Sequence, residues 1–554
     1  MVKRVFGLVY REVRGLHQAA YILAFFAFGS QLLAVVRDRL LAHSFGADTA
    51  LDLYYTAFRI PDLLFVLFAS VLSIYVLLPF VNRSTEEKDE RAGAAVLSQM
   101  FTLFLILYAV IAGMLALLAP LYVPVVFPGF AGSTDTLVVL LQILLLQPLL
   151  LGLSNLCGIV TQMSHRFILY ALSPLLYNVG IIIGIIFFYP MFGLKGLVFG
   201  VVLGAFGHLV IQLPYVRGSQ YSFSLSSQID WSLIRRILSV SIPRALTLSS
   251  NQLVLLVLIG MASVMTVGSV SVFQLAFNLQ SVPLAIIGMS YSVAAFPTLS
   301  HLYAKSDQAG FNRQLTTALR HIIFWSVPVI ALVVVLRAQI VRVLLGSGAF
   351  DWSDTRLTAA MLAVFVLSLV AQAVLLLLIR AFYAGGKTFI PLCVAVVSGV
   401  VSIGFAVLGR GLYETNEGFR TFITGLFRLT DVPGTEVLVL GFALVIGQTL
   451  QLILMMWMSR RFFSMSYRSL GYLFFQSSLA AFTGALAAYI TLQFIVDGIN
   501  QDTFIGISLQ GAVAGLVGLG AVVWSYYTTG SKELLEIHRS FKAKIFKTDV
   551  IEPQ

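Results

Sequence analysis

The chain has 554 residues, 59% hydrophobic and only 11% charged, with a mean hydropathy of +0.94. A soluble globular protein carries about 25% charged residues, so this composition excludes one and points to a polytopic membrane protein. The net charge of +11 lies on basic residues scattered in short loops between apolar runs, a pattern that orients a chain in a bilayer and argues against nucleic acid as a partner.

Taking about 20 apolar residues as one crossing, the sequence reads as an all-α polytopic membrane protein of roughly 14 helices. Residues 1–18 read as a cytoplasmic N-terminal segment without the short apolar core and small-residue cleavage site of a signal peptide. The first span, 19–42, carries Arg37, Asp38 and Arg39 in an otherwise apolar run. A charge near the bilayer centre costs roughly 2.5 to 3.5 kcal/mol on insertion scales, so such groups face a water-filled cavity or a partner. Helical spacing sets Arg37 on one face with Ser30, Ala34 and Leu41, while the adjacent Asp38 does not share that face. In the second span Asp52, Arg59 and Asp62 are seven and three apart, broadly one helical face, from which they can neutralise Arg37 or Arg39. Buried salt bridges that merely hold two helices together are the alternative reading of each of these residues.

Further along, Pro79 closes the second span and Pro297 the eighth, 218 residues on; Pro174 and Pro391 make a second pair 217 apart. One offset from two landmarks predicts a parallel six-helix repeat, with lobes 19–218 and 219–465 and a substrate site between them. Residues 466–530 hold two further helices, and 531–554 form a cytoplasmic tail. Glycines 196, 200 and 204, and 511 and 515, have the small-xxx-small spacing of helix packing. Arg244, after Pro243, reads as interfacial anchor or substrate ligand, and Arg380 as an anchor. The stretch 410–436, the longest polar connection on the outer face, reads as an interfacial helix or a loop. An even number of spans places both termini on one side. Most Lys and Arg then fall on that side, making it the cytoplasm.

Enzyme motifs are weak. Gly386-Lys387-Thr388 ends like a phosphate-binding loop, but Ala381 stands where its first glycine is required. The histidines form no zinc pattern. Cys157 and Cys393, the only cysteines, lie in apolar stretches, so neither a disulfide framework nor a thiolate metal site is expected.

The strings Ser30-Gln31-Leu32-Leu33-Ala34-Val35-Val36-Arg37-Asp38 and Ala57-Phe58-Arg59-Ile60-Pro61-Asp62 resemble the opening of the lipid II flippase family (MurJ, formerly MviN), within the multidrug/oligosaccharidyl-lipid/polysaccharide exporter superfamily. Ser173-Pro174-Leu175-Leu176-Tyr177-Asn178, Pro243-Arg244, Phe296-Pro297-Thr298, Gly348-Ala349-Phe350-Asp351 and Ala381-Phe382-Tyr383-Ala384 follow in that family's order. The resemblance implies two six-helix lobes around a cationic cavity, with the last two helices grooved for a lipid tail. It implies a transporter rather than an enzyme, in the bacterial inner membrane, which flips the lipid-linked peptidoglycan precursor outward by alternating access. The membrane potential or an ion gradient supplies the energy, with no cofactor. Membrane lipids and cell-wall synthesis enzymes are the other candidate partners.

By the same resemblance Arg37 binds the diphosphate, sharing its charge with Arg39, Arg59 and Arg244; Ser30 and Asn278 line the cavity, and Asp38, Asp52 and Asp62 pair or gate. Gln31, Phe65 and Asn278 stand where the family has arginine. Leu258 replaces an acidic residue linked in some members to sodium, so no metal site is carried over. The missing arginines leave an exporter of another lipid-linked glycan or small amphiphile, or a non-transporting cell-wall scaffold, as alternatives.

Overall fold

The computed structural model describes residues 16–87, 90–495 and 503–537, together with 12 and 539. Most of the segment 1–18, and the tail from 540 onward, lie outside the described residues. The described chain is built from helices, as expected where lipid offers the backbone no hydrogen bonds and each segment has to satisfy its own. Among the described residues twelve helical stretches are long and apolar enough to cross a membrane, and a pair bent by 44° makes a thirteenth. The 30-residue helix that carries Arg37, Asp38 and Arg39 stands apart from that count; with it the candidate crossings match the roughly 14 read from sequence.

In chain order the helices are α1 (Leu16–Phe45), α2 (Thr49–Ala57), α3 (Arg59–Val71), α4 (Ile74–Glu87), α5 (Glu90–Val126), α6 (Thr134–Leu144), α7 (Leu146–Met163), α8 (Phe167–Ile183), α9 (Leu194–Val210) and α10 (Trp231–Ser263). Then come α11 (Ser269–Leu284), α12 (Ser290–Ala304), α13 (Gln308–Leu344), α14 (Trp352–Val366), α15 (Leu369–Ala384), α16 (Phe389–Thr415), α17 (Glu417–Phe427), α18 (Val437–Phe463), α19 (Arg468–Ile495) and α20 (Phe504–Thr528). Several crossings are made of two helices in line. The second breaks at Phe58 and again near Leu72, and the tenth bends between α14 and α15. Five-residue π turns follow α8 and α11 at Gly184–Phe188 and Ala285–Met289. Such turns loosen a helix locally and are frequent at functional sites.

Packing divides the chain into two compact units: Met1–Gln274 with Ser347–Asp351, and Leu275–Gly346 with Trp352–Gln554. The division falls inside α11, in the eighth crossing, whereas the sequence repeat counts six spans to each lobe; one follows packing and the other internal resemblance. Within the first unit, α8 and α9 meet backbone to backbone. A Cβ on Gly200 would stand 2.4 Å from the Gly184 Cα, and one on Gly180 would stand 2.2 Å from the Gly204 Cα. Within the second unit α13 packs against α19 and α20, and Gly511 and Gly515 of α20 face Gln339 and Leu336 of α13.

Candidate substrate site in the first unit

Helix α1 presents two different faces. Phe25, Phe28, Leu32 and Val36 recur at three- and four-residue spacing and are exposed, a lipid-facing stripe. Ser30 and Arg37, seven apart, turn the other way, towards α8. There the Asn178 amide joins them: Arg37 Nη1 donates to Asn178 Oδ1 at 3.2 Å, and Asn178 Nδ2 donates to Ser30 Oγ at 3.1 Å and to the Pro174 carbonyl at 3.2 Å. Pro174 has no N–H and sits inside α8.

The ion partner of Arg37 is its own neighbour. Its Nε and Nη2 donate to Asp38 Oδ1 at 2.9 and 2.8 Å, and the Asp38 side chain is only 6% exposed. Adjacent positions point about 100° apart on a helix, but the long arginine stem curls back far enough to close the gap. The cross-helix neutralisation expected from the acids of the second span, Asp52 and Asp62, therefore gives way, for Arg37, to a pair within α1.

The second crossing departs from the single face read from its spacing, because the helix is interrupted at Phe58. Asp52, on α2, is buried and accepts from the Gly268 and Ser271 backbone N–H groups at 2.8 and 2.7 Å and from the Ser271 hydroxyl at 2.5 Å. Those donors are at the start of α11, where backbone N–H groups lack intrahelical acceptors, so Asp52 acts as a helix cap supplied from elsewhere in the chain. Arg59 and Asp62, on α3, lie together. The Arg59 guanidinium and the Gln147 amide both act on the Asp62 carboxylate, and Arg59 Nη2 also donates to Gln274 Oε1.

Three tyrosines share this neighbourhood. Tyr54 and Tyr55 are within electrostatic range of Arg37, Tyr55 of Arg59, and Tyr177 of Asp62 and Arg37. Tyr54 packs on Phe58 with ring centres 5.0 Å apart. Four polar atoms in this region are buried without a hydrogen-bond partner: the Tyr55 and Thr56 hydroxyls, Arg59 Nε and Gln147 Oε1. Buried polar groups are nearly always satisfied, so these atoms have room for a polar partner, water or ligand. Arginine forks match the geometry of phosphate oxygens, and flat phenol rings can lie against a sugar.

The remaining expected residues spread out. Arg39 is about 200° round the helix from Arg37 and partly exposed. Arg244 is half-buried in α10, one residue after Pro243, whose carbonyl accepts from Thr247 Oγ1. Asn278 belongs to the second unit, where its carbonyl accepts from the Ser281 hydroxyl at 2.6 Å. The structure thus gathers Ser30, Arg37 and Asp38 around Asn178, and Arg59 and Asp62 around Gln147. Sequence reasoning gave no role to Asn178, Gln147, Gln274 or the three tyrosines.

A family model described as lipid II flippase MurJ matches residues 41–509. Among curated relatives, the probable lipid II flippase MurJ of Buchnera aphidicola subsp. Acyrthosiphon pisum is 28% identical over 373 residues, 66% of this chain and 72% of that protein. Lipid II flippase MurJ of Burkholderia cenocepacia is 24% identical over 397 residues, 69% and 76% of the two chains. A solved lipid II flippase MurJ in an inward closed conformation matches with a TM-score of 0.72 at 20% identity, covering 92% of this chain and 99% of that one. An inward-facing MATE transporter of the MOP superfamily matches at 0.64 and 16%, covering 78% and 94%. At these identities the two structures speak for the fold.

Proposed function

The chain belongs to the MurJ lipid II flippase family, and from that premise we propose that Arg37 and Arg59 receive the diphosphate of the lipid-linked precursor as it is flipped. The protein is a multi-pass membrane transporter, not an enzyme. Its cargo is lipid II, a sugar head on a lipid carrier. The observation that supports the assignment of Arg37 is its fork, held by Asp38 and Asn178 inside a membrane-spanning helix. In the empty protein Asp38 occupies the two donors, Nε and Nη2, that a phosphate would take, and Asn178 occupies Nη1.

A buried arginine left unpaired would be costly, and exchanging the carboxylate for a phosphate keeps the Arg37 guanidinium paired at each stage. Asp62, beside Arg59, serves in the same way. Tyr54 and Tyr55 offer the sugar rings a surface, and Asn178 with Ser30 fixes the arginine's direction. Arg39, Arg244 and Asn278 contribute to the polar path, while Asp52 acts through its cap on the start of α11.

The distribution of basic residues supports an inner-membrane orientation with both termini in the cytoplasm. Energy comes from the membrane potential or an ion gradient. Cell-wall synthesis enzymes are natural neighbours, because the flipped precursor is their substrate.

The test is complementation in bacteria depleted of their own lipid II flippase, with lipid II in the outer leaflet as the readout. Wild type rescues, and Arg37→Ala at equal membrane levels does not. Rescue by Arg37→Ala would remove Arg37 from the cargo path, and failure of a correctly inserted wild type would remove lipid II as the cargo.

A further inference from the structure

The polar connection 410–436 contains a helix whose outward face is unpartnered. Asn416 caps α17 by accepting from the Phe419 N–H at 3.0 Å. Along the helix Phe419, Phe422, Ile423, Leu426 and Phe427 share one side, and Glu417, Thr421 and Thr424 the other. Only part of the apolar side meets protein. Ile423 is buried, whereas Phe422 and Leu426, one turn apart, are 62% and 56% exposed. They continue the exposed apolar surface of the preceding crossing, which runs through Leu408 and Leu412 of α16.

The helix ends at Arg428, a non-glycine residue with φ +56°. That backbone is strained for an L residue, and it is held from several sides. The Leu429 N–H donates to the Thr424 carbonyl at 2.8 Å, Arg356 donates to the Arg428 carbonyl, and the same guanidinium forks onto Asp431 at 2.6 and 2.8 Å. The Tyr413 and Thr435 hydroxyls close the connection from its two ends. The exposed Arg428 side chain is thereby carried on a fixed backbone, within electrostatic range of half-buried Arg337 on α13.

Neither arginine is matched by a carboxylate among the described residues. Arg337 donates to the Val334 carbonyl of its own helix at 2.7 Å, and Asp431, three residues beyond Arg428, is bound to Arg356. Two like charges brought together, next to apolar side chains continuous with the lipid-facing surface, call for an anion attached to an acyl chain.

We propose that α17, with Arg337 and Arg428, binds an anionic phospholipid at the membrane interface, its acyl chains against Phe422 and Leu426 and its phosphate between the two arginines. An amphipathic helix on a bilayer surface buries its apolar edge at the headgroup boundary, and arginines there favour anionic headgroups. The site is separate from the Arg37 cluster and does not depend on which cargo is flipped.

The experiment places tryptophan at the interface as Phe422→Trp and reconstitutes the full chain with brominated phosphatidylcholine or brominated phosphatidylglycerol. Quenching is taken as the difference from the parent chain, which has 5 tryptophans of its own. Both lipids should quench, with phosphatidylglycerol favoured about threefold to fivefold. Arg428→Gln, at an exposed position, should reduce that preference, and Arg337→Gln with Arg428→Gln should abolish it. Millimolar inorganic phosphate should leave it unchanged. Absence of quenching by either lipid, equal quenching in the wild-type background, or a preference untouched by Arg428→Gln would each overturn the proposal. Displacement by inorganic phosphate would assign the site to a soluble anion and overturn it as well.

Discussion

Arg37 illustrates how a charge is tolerated inside a membrane-spanning helix. Its guanidinium spends two donors on Asp38 and one on Asn178, and Asn178 is itself steered by Ser30 and the Pro174 carbonyl. Removing one member leaves the others buried with unmet valence, which costs about 1 to 3 kcal/mol for a polar group and more for a charged one. Asp38→Asn keeps the size of the side chain but removes the counter-charge. It should lower the thermal midpoint of the empty protein in detergent, and added lipid II should restore much of the loss, because phosphate replaces the missing carboxylate. Asn178→Ala should disturb flipping more than stability, since it frees the arginine to swing while leaving its charge compensated. Equal stabilisation of Asp38→Asn and wild type by lipid II would disconnect this pair from the cargo.

Helix packing in the first unit depends on backbone contact rather than on side chains. Gly180, Gly184, Gly200 and Gly204 allow α8 and α9 to touch, and a methyl group on Gly200 would meet the Gly184 Cα and N and the Gly180 carbonyl, none of which can rotate away. Gly200→Ala should therefore destabilise by about 1 to 3 kcal/mol. Gly520→Ala in α20, where a Cβ meets nothing within 4 Å, should be neutral or stabilising by up to about 1 kcal/mol. Thermal unfolding of the two variants side by side separates close packing from helix propensity. The glycine spacing in α9 was visible in the sequence, because small residues every fourth position have one common use in a membrane. The break at Phe58 has a local cause in Pro61, which has no N–H to give the Ala57 carbonyl and whose ring crowds that turn; what the sequence does not show is that Asp52 reaches the start of α11 while Arg59 stays with Asp62. Asn178, Gln147 and Gln274 were equally silent. An uncharged amide in an apolar run leaves no mark on charge or period, and its role appears only when the helix opposite supplies a charge.

At the scale of the whole molecule, the crossings and the membrane class follow from hydropathy, and the family from ordered motifs. The proposed role of Arg37 has a consequence for the energetics of transport. A diphosphate that joins two organic groups carries negative charge on each phosphorus, and moving one elementary charge through 100 mV is worth about 2.3 kcal/mol. In a cell that is negative inside, the outward step of an anionic cargo runs with the field. The return step is different. With Arg37 closed on Asp38, the empty site carries a compensated pair across, and the field has little charge on which to act. A cycle that is charged in the loaded direction and nearly neutral in the empty one needs no nucleotide to run outward. Valinomycin with external potassium, which collapses the potential, should therefore slow the appearance of lipid II in the outer leaflet of cells that depend on this chain. Nigericin, which removes the pH gradient and spares the potential, should have little effect. The reverse result, arrest by nigericin alone, would mean that a proton carries the energy and that the Arg37–Asp38 pair does not make the cycle electrophoretic.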